Sequence, residues 1–600
     1  MRYPSLLLNA LLIALFLVTG CQPTAEPTDP IQVIHTDITR QIQGLDEWCA
    51  AEWEPLIDQG HPDSLRQAFL RGHARYKAME WAVEYFFPFT ADQLNGAALP
   101  EIEEAEHQVE DPMGFQVLEE LVFADEPDRE ALRIETRKVK SLLVRLNELW
   151  AGHQFRPDQT FDAIRFELYR LASLTLAGFD LPVSGRSIHE LQPTLHALEQ
   201  VVLLWKDSLD SNGLTRFQQV LDGAGQYAGA HPDFNTFDRY TFLQSHLIPL
   251  MKALHQVQSD LGIPFLDGVY AFRGDARHLF DEGALDPDFF SSNVLGTGTP
   301  ERIALGERLF YDTSLSGNGQ VSCASCHRPE LAFTDGLVKA AALGSAGSLT
   351  RNTPILLYAG YQQAQFYDLR SKTLEDQIDD VIHNRDEIHG NLDLSAETLA
   401  ADPDFVAGYQ AAFPGQSSID PGYLRLALSA YVRSLGAFNS RFDLAMRGGD
   451  ALSPDEQAGF NLFMGKGKCG TCHFMPVFNG TIPPHMTNSE SEVLGVPADV
   501  AGRRIDPDSG RYLIHAIPQY AFSFKTPTVR NSRRTAPYMH NGVYPDLESV
   551  LDFYNLGGGN GLGFDLPYQT LPSDSLGLTP LEIRQILAFL GSLDDSTPTY

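Results

Sequence analysis

Two copies of one five-residue pattern constrain this chain more than any other feature of its sequence. The segment 323–327 reads Cys-Ala-Ser-Cys-His and the segment 469–473 reads Cys-Gly-Thr-Cys-His, in a chain of 600 residues that contains only six cysteines. In C-x-x-C-H each thiol can add to a haem vinyl group, and the adjacent imidazole becomes the proximal iron ligand. The sequence therefore predicts two covalently bound haem c groups. The first would be held by Cys323, Cys326 and His327, and the second by Cys469, Cys472 and His473.

The remaining cysteines do not change this interpretation. A redox-active dithiol of the thioredoxin type is the rival explanation of C-x-x-C, but it has no need of the histidine that follows both motifs. Cys49 lies in Leu-Asp-Glu-Trp-Cys-Ala at 45–50 and is expected to be a packed core thiol.

The segments around the motifs predict helices in the arrangement of a cytochrome c domain. Apolar residues recur at helical spacing behind Thr299 and again behind Ser453, and each of these caps is followed by a proline at the first helical position. The segment 578–590 is expected to form a closing helix that packs against the first helix of its domain.

Residues 31–265 have a helical apolar period, interrupted by Pro and Gly. Helices are predicted over Ser64–Phe87, Asp128–His153, Phe161–Leu176 and Ile188–Leu209. We therefore expect an all-α protein in which an N-terminal helical bundle (33–265) precedes two cytochrome c-like haem domains, 275–445 and 446–600.

Charge narrows the range of partners. Lys and Arg number 44 against 78 Asp and Glu, which gives a formal charge of -34. A nucleic-acid partner is not expected for a body so acidic.

The amino terminus predicts an export signal. An apolar stretch from Leu6 to Val18 leads into Val-Thr-Gly-Cys at 18–21, which resembles a bacterial lipoprotein signal. Residues 1–20 would then be removed, Cys21 would carry the lipid, and 21–32 would be a flexible tether. This predicts attachment to the periplasmic side of a bacterial membrane, with the outer membrane favoured; an uncleaved anchor helix is the alternative.

Several segments between and after the motifs resemble a known family. They are Arg-Asn-Thr-Pro at 351–354, Phe-Tyr-Asp-Leu-Arg at 366–370, Phe-Lys-Thr-Pro-Thr-Val-Arg-Asn at 524–531 and Thr-Ala-Pro-Tyr-Met-His at 535–540. Together they resemble the bacterial diheme cytochrome c peroxidases and the related methylamine-utilisation (MauG-type) enzymes, over about 280–600. The segment 114–119 faintly resembles a motif of imelysin-like domains, with Gln116 in place of its histidine.

The resemblance implies that the first haem is the peroxidatic one. It implies that Tyr367 lies between the haems, and that Gln377 and Glu387 lie on the open face of the first haem. A carboxylate there can carry a proton from one peroxide oxygen to the other. The alternative for Glu387 is a solvated surface charge. No histidine stands between His327 and His383, which predicts an iron open to peroxide without prior reduction.

The resemblance implies a tyrosine ligand for the second haem. Tyr554 occupies the position that is methionine in the classical peroxidases and tyrosine in the methylamine-utilisation enzymes. A phenolate favours ferric and higher-valent iron, whereas a thioether raises the potential. The alternative is that Tyr554 is a packed aromatic and that Met539 or Met475 ligates the iron.

Two further roles follow from the resemblance. A calcium ion between the haems would be bound by Asn352, Thr535 and Pro537. Arg530 would pair with a haem propionate, or else form an ordinary surface salt bridge.

These features predict a diheme peroxidase that reduces hydrogen peroxide with electrons from a donor protein. The alternatives are a MauG-type enzyme that uses peroxide to oxidise a partner protein, and a two-haem electron carrier without catalysis.

Overall fold

The computed structural model describes residues 29–103, 107–291, 296–344 and 347–596, and this part of the chain is mainly helical. Its N-terminal helices are α1 (Pro30–Trp48), α2 (Glu54–Gln59), α3 (Pro62–Phe86), α4 (Pro88–Asn95), α5 (Phe115–Phe123), α6 (Arg129–Ala151), α7 (Pro157–Ser173), α8 (Ser187–Leu203), α9 (Ser211–Ala230), α10 (Arg239–Phe242) and α11 (Ile248–Asp260). The helices that follow are α12 (Pro300–Tyr311), α13 (Cys323–Cys326), α14 (Leu374–His383), α15 (Leu392–Leu399), α16 (Pro403–Ala412), α17 (Pro421–Ser434), α18 (Arg441–Met446), α19 (Pro454–Met464), α20 (Tyr512–His515), α21 (Leu547–Asn555), α22 (Gly558–Gly561) and α23 (Pro580–Ser592).

The expected signal peptide, the lipidated Cys21 and most of the tether lie outside the described residues. Within them, no helix combines the length and the apolar character needed to cross a membrane.

The four helices predicted before residue 265 are confirmed as α3, α6, α7 and α8, with ends shifted by up to six residues. Helix α3 is central to the N-terminal region, because it packs against α1, α7 and α8. Cys49 is buried in the π-helical turn that connects α1 to α2, as the sequence predicts.

A network of buried charges lies inside these N-terminal helices. Lys77 of α3, whose side chain is fully buried, binds Glu80 and lies 2.9 Å from Asp180. Arg170 of α7 binds Asp180 at 2.8 Å and both Glu80 and Glu84 at 3.3 Å. We call these five residues the Lys77 network. Burial of so many charges is tolerated because each basic group contacts at least two carboxylates.

The two cytochrome-like regions repeat one helix crossing. Helix α12 crosses α17 at Gly306, where an added Cβ would lie 1.9 Å from the carbonyl oxygen of Ala427. Helix α19 crosses α23 at Gly459, where an added Cβ would lie 1.9 Å from the carbonyl oxygen of Gln585. The predicted packing of the C-terminal helix is thus confirmed, and glycine is required at both crossings because the backbones touch.

The caps of these helices also agree with the sequence. The Thr299 hydroxyl accepts the Arg302 N–H at 3.3 Å, and Ser453 and Glu456 form a reciprocal capping box. These bonds satisfy donors that the first helical turn leaves free.

Two short antiparallel pairs of strands complete the fold. Strand β1 (Glu101–Glu103) pairs with β2 (Gln108–Glu110), and β3 (Ser491–Val493) pairs with β4 (Ser523–Lys525) in the register Ser491 to Lys525.

The N-terminal helices pack directly on the region of the second motif. The Asn461 side chain of α19 accepts the backbone N–H of Tyr240 and donates to Asp238, both at 2.9 Å. Ala177 lies 3.3 Å from the point where a Cβ on Gly470 would stand, inside the C-x-x-C motif itself. The second motif is therefore covered from one side by the N-terminal region.

Candidate haem sites

The four motif thiols are free and partly buried. No disulfide joins any cysteine that the structure describes. Cys323 and Cys326 delimit the single turn α13, and Cys469 begins a 3-10 turn that ends at Thr471. Burial raises the pKa of Cys323 and of Cys469 to about 12, so both thiols are protonated at neutral pH. Two unpaired thiols on one tight turn fit thioether attachment of a haem.

Both motif histidines are oriented through the same ring nitrogen. His327 Nδ1 lies 2.9 Å from the carbonyl oxygen of Phe333, and His473 Nδ1 lies 3.0 Å from that of Pro527. A carbonyl can only accept, so Nδ1 carries the proton and Nε2 keeps its lone pair for a metal. Burial lowers the pKa of His473 to about 4, which keeps this imidazole neutral. A neutral, oriented imidazole is what a proximal ligand requires.

The turn that orients His327 has an unusual backbone. Ala332 and Phe333 both adopt positive φ angles, 54° and 59°. This conformation is costly for residues with a Cβ, and it returns the Phe333 carbonyl to the imidazole.

A cavity of about 2040 Å³ contains the second motif in its wall. That volume exceeds the roughly 300–1,000 Å³ of most small-molecule sites, so the cavity has room for a porphyrin. Cys469, Cys472 and His473 all line it, and so does Tyr554. Side chains suited to attach and ligate a haem therefore surround a space large enough for one.

Tyr554 lies near the second motif. Burial raises the pKa of its phenol, and the neighbouring Cys472 and Cys469 raise it further. Of the two methionines considered as alternative ligands, Met539 also lines the cavity. Met475 is buried in the core and is not part of the cavity wall.

The first motif lies outside this cavity, but residues that follow it reach the cavity wall. Tyr367 is one of them, and its carbonyl oxygen accepts the N–H of Lys525 at 2.7 Å. The neighbouring Phe366 and Leu369 have positive φ angles of 62° and 57°, which mark a tight, irregular loop. The structure thus brings Tyr367 to the space that the second motif lines.

Neither Glu387 nor Gln377 lines the cavity, and Glu387 lies near the first motif. Glu387 is half-buried and accepts a hydrogen bond from the Asn384 amide at 2.9 Å. Its charge contributes to the raised pKa of Cys326, which indicates that the carboxylate is near the first motif. Burial raises the pKa of Glu387, and Arg370 partly offsets that effect. Gln377 is half-buried on α14.

Arg530, which the resemblance assigns to a haem propionate, is paired with a carboxylate in the protein interior. Its guanidinium is fully buried and forms two bonds to Asp443, at 2.9 and 2.8 Å, as well as bonds to the Pro476 carbonyl. It is neither a surface ion pair nor part of the cavity wall. The buried pairing occupies most of its donors, because a guanidinium has five N–H groups and four are used here.

The residues expected to bind calcium border the same cavity. Asn352, Thr535 and Pro537 all line the large cavity. The Asn352 side-chain nitrogen donates to the Leu337 carbonyl at 2.8 Å, which leaves the side-chain oxygen available as a ligand.

Three features of the cavity were not found in the sequence. Lys525 lines it and donates to Gln362 at 3.0 Å, and burial lowers the pKa of this lysine to about 8. Glu490 and Glu492 also line the cavity. Serine and glutamate alternate over 489–492, and because strand residues two apart share a face, this alternation could have predicted that both glutamates lie on one side. The third feature is the wall formed by residues from the segments 92–102, 111–120 and 177–185, and no sequence signal pointed to it.

Comparison with known proteins agrees with this geometry. A family model described as di-haem cytochrome c peroxidase matches residues 300–451. The methylamine utilization protein MauG of Methylorubrum extorquens is 34% identical over 301 residues, which cover 49% of this chain and 78% of the relative. Cytochrome-c peroxidase IdrP2 of Denitromonas iodatirespirans is 31% identical over 316 residues, covering 49% and 82%. A crystal structure of a MauG-like protein associated with microbial copper homeostasis aligns with a TM-score of 0.45 and 30% identity, covering 51% and 92%.

The length of these matches decides the assignment, because each relative is matched over more than two thirds of its own length. The chain therefore belongs to the di-haem cytochrome c peroxidase family, whose members bind two c-type haems.

Proposed function

We propose that this protein is a diheme c-type peroxidase that reduces hydrogen peroxide to water with electrons from a donor protein. The observation that carries the proposal is the asymmetry between the two haem sites. The first has a half-buried carboxylate, Glu387, near its thioether turn, whereas the second shares a cavity with the potential ligand Tyr554. One open and one closed iron is the arrangement that a peroxidase with a separate electron-entry haem requires.

The open site is supported by what the sequence lacks. Residues 328–382 contain neither histidine nor methionine, so no ligand of either type from this segment can close the first iron. A haem held by the first motif would supply the redox chemistry that peroxide reduction requires.

Glu387 supplies the proton transfer. Its carboxylate takes the proton from one peroxide oxygen and returns it to the other, which leaves as water when the O–O bond breaks. Two electrons and two further protons complete the conversion of peroxide to two waters. Gln377, on helix α14, orients the bound peroxide by hydrogen bonding. Tyr367 lies between the two sites in the path of the electrons.

A spectrum of the oxidised protein, recorded before and after one equivalent of peroxide, tests this proposal. We expect one high-spin and one low-spin haem, both altered by peroxide without prior reduction. Two unchanged low-spin haems would identify an electron carrier instead.

A second function is favoured by Tyr554. A tyrosine in this cavity, together with the similarity to MauG, supports peroxide-dependent oxidation of a partner protein. The two activities separate by product: a peroxide-removing enzyme turns over with small reduced cytochromes, whereas a protein-modifying enzyme does so slowly and leaves a covalent change on its partner, detectable by mass spectrometry.

The calcium site is part of the same proposal. Oxygen donors from Asn352, Thr535 and Pro537 around one cavity suit a hard cation with water as its remaining ligands. Elemental analysis of the purified holoprotein should find about one calcium per chain. Its removal by a chelator should alter the haem spectra, while an Asn352→Ala variant should bind no calcium.

We also propose that Cys21 is lipidated and that the protein works at the periplasmic face of a bacterial membrane. The support is the residue pattern at 18–21. A Cys21→Ala variant should move from the membrane to the soluble fraction.

The N-terminal helices are proposed to be a domain of their own, of bundle type, set before two cytochrome c-like domains. Their mutual packing around α3 supports this division. Limited proteolysis between 261 and 299, where the described residues form no α-helix, is the test.

A further inference from the structure

The N-terminal region borders the cavity of the second haem with two exposed segments. Leu99 and Val183, 47% and 49% exposed, line the cavity together with the exposed Asp111 and Glu120. We call these four residues the N-terminal rim. Apolar side chains exposed at the border of a cavity can pack against a bound partner.

Buried side chains hold the rim in place. The fully buried Glu119 accepts the backbone N–H groups of Val183 and Ser184 at 3.2 and 2.9 Å. Gln116 donates to the Asn95 carbonyl at 3.1 Å, at the end of helix α4, just before the loop that carries Leu99. The segment that faintly resembles the imelysin motif thus serves as a scaffold for the rim. A surface fixed in this way loses little conformational entropy when a partner binds.

The rim has one sign of charge. The cavity-lining residues before 300 that the structure describes include four carboxylates and no lysine, arginine or histidine. The carboxylates are those of Asp92, Glu101, Asp111 and Glu120.

The facing wall, which comes from residues after 300, carries cations, but most are already paired. Lys466 binds Glu582 at 2.8 Å, and Arg511 donates to Ser491 at 2.6 Å. Lys468, which also lines the cavity, is exposed next to Cys469, and its positive charge repels a basic partner.

We propose that the N-terminal rim is the docking surface for a small, soluble electron-transfer protein whose contact surface is basic around an apolar centre. This inference rests on the proposed function, because it assigns the place where electrons enter. Carboxylates at the rim speed the encounter with a basic partner and orient it, while Leu99 and Val183 provide the apolar contact. Two short segments suit a small, transient interface of the kind that electron transfer uses.

Binding, measured apart from turnover, tests the inference. The holoprotein is titrated with an oxidised, lysine-rich small cytochrome c at low ionic strength. In the variant Asp111→Lys with Glu120→Lys, we expect the dissociation constant to rise at least tenfold. The matched control, Glu148→Lys with Glu397→Lys, makes the same charge change at exposed sites away from the cavity and should bind within about twofold of the wild type. Lys468→Gln should tighten binding.

Two further measurements keep the test decisive if a charge-reversed variant folds poorly. Binding to the wild type should weaken steeply with salt, and it should be lost when the lysines of the cytochrome are acetylated. Equal binding by the double variant and the control, or wild-type binding that salt does not weaken, would overturn the inference. A covalent change on the bound protein after peroxide would also overturn it, because the occupant would then be a substrate. Failure to consume peroxide with any reductant would instead reject the proposed function while the binding result stands.

Discussion

The N-terminal helices and the haem-bearing region both bury polar groups, but they do so in opposite ways. In the Lys77 network each buried cation meets at least two carboxylates, and the helices around it are long and regular. In the haem-bearing region, polar side chains such as Tyr554 and Glu492 border an open cavity. Fourteen of the fifteen non-glycine residues with positive φ in the described chain lie after residue 300, and only His107 precedes it. Closed networks stabilise a fold, whereas strained backbone and titratable groups around a cavity are where chemistry is expected.

The largest effect that we expect from this contrast is a loss of peroxidase activity when Glu387 is replaced. Glu387→Gln removes the proton acceptor and should lower kcat/KM for peroxide by about 10²–10⁴-fold while both haems stay bound. Because burial raises the pKa of this carboxyl, wild-type kcat/KM should rise with pH through a value above 4.5, as the base form appears. Stopped-flow measurements between pH 4 and 8 check both points.

Glu397→Gln is the matched control, since it makes the same change on an exposed turn of α15. Equal rates for the two variants would contradict the role of Glu387.

Lys77→Met should have the next largest effect, on stability and not on catalysis. It leaves Asp180 and Glu80 with Arg170 as their remaining cation, and breaking a buried ion pair costs about 3–5 kcal/mol. We expect a lower thermal midpoint by circular dichroism, together with wild-type peroxidase activity per folded molecule. Loss of activity without loss of stability would mean that the network takes part in the chemistry.

Gly459→Ala should destabilise the haem-bearing region by about 1–3 kcal/mol, because the new methyl group meets the Gln585 carbonyl. The same substitution at Gly225, on α9 of the N-terminal region, meets no atom within 4 Å. It should stabilise the protein by about 0.5–1 kcal/mol, because glycine is unfavourable inside a helix. Thermal unfolding of both variants, monitored by haem absorbance and by circular dichroism, gives the comparison.

The smallest expected effect is a pH dependence of the protein's stability, which arises from Glu84 of the Lys77 network. Burial raises the pKa of Glu84 to about 7, with Arg170 as a partial offset. Between pH 4.5 and 7 the folded protein then holds a proton that the unfolded chain has lost, so stability falls as pH rises through this range. Glu84→Gln should reduce that fall by about 1–3 kcal/mol, seen as a flatter plot of thermal midpoint against pH. An unchanged slope would show that Glu84 is fully compensated by Arg170.

Much of the site could be predicted because its chemistry is local in the chain. The haem motifs, the helices beside them and the caps of those helices depend on residues close together in sequence, and the structure confirms the helices. Tyr554, Asn352, Thr535 and Pro537 could be named only through a family resemblance, since no local pattern shows that residues so far apart border one cavity. No local pattern shows the pairing of Arg530 with Asp443, because the two residues are 87 positions apart.

The sequence by itself predicts two attached haems and the histidine that would serve each, because covalent attachment needs only five consecutive residues. Only the tertiary structure shows that residues of the N-terminal region, Ala177 and Val183 among them, border the cavity that the second motif lines. The physical reason is that such a wall arises from packing between surfaces nearly 300 residues apart in the chain, and shape complementarity of that kind leaves no periodicity or motif to read.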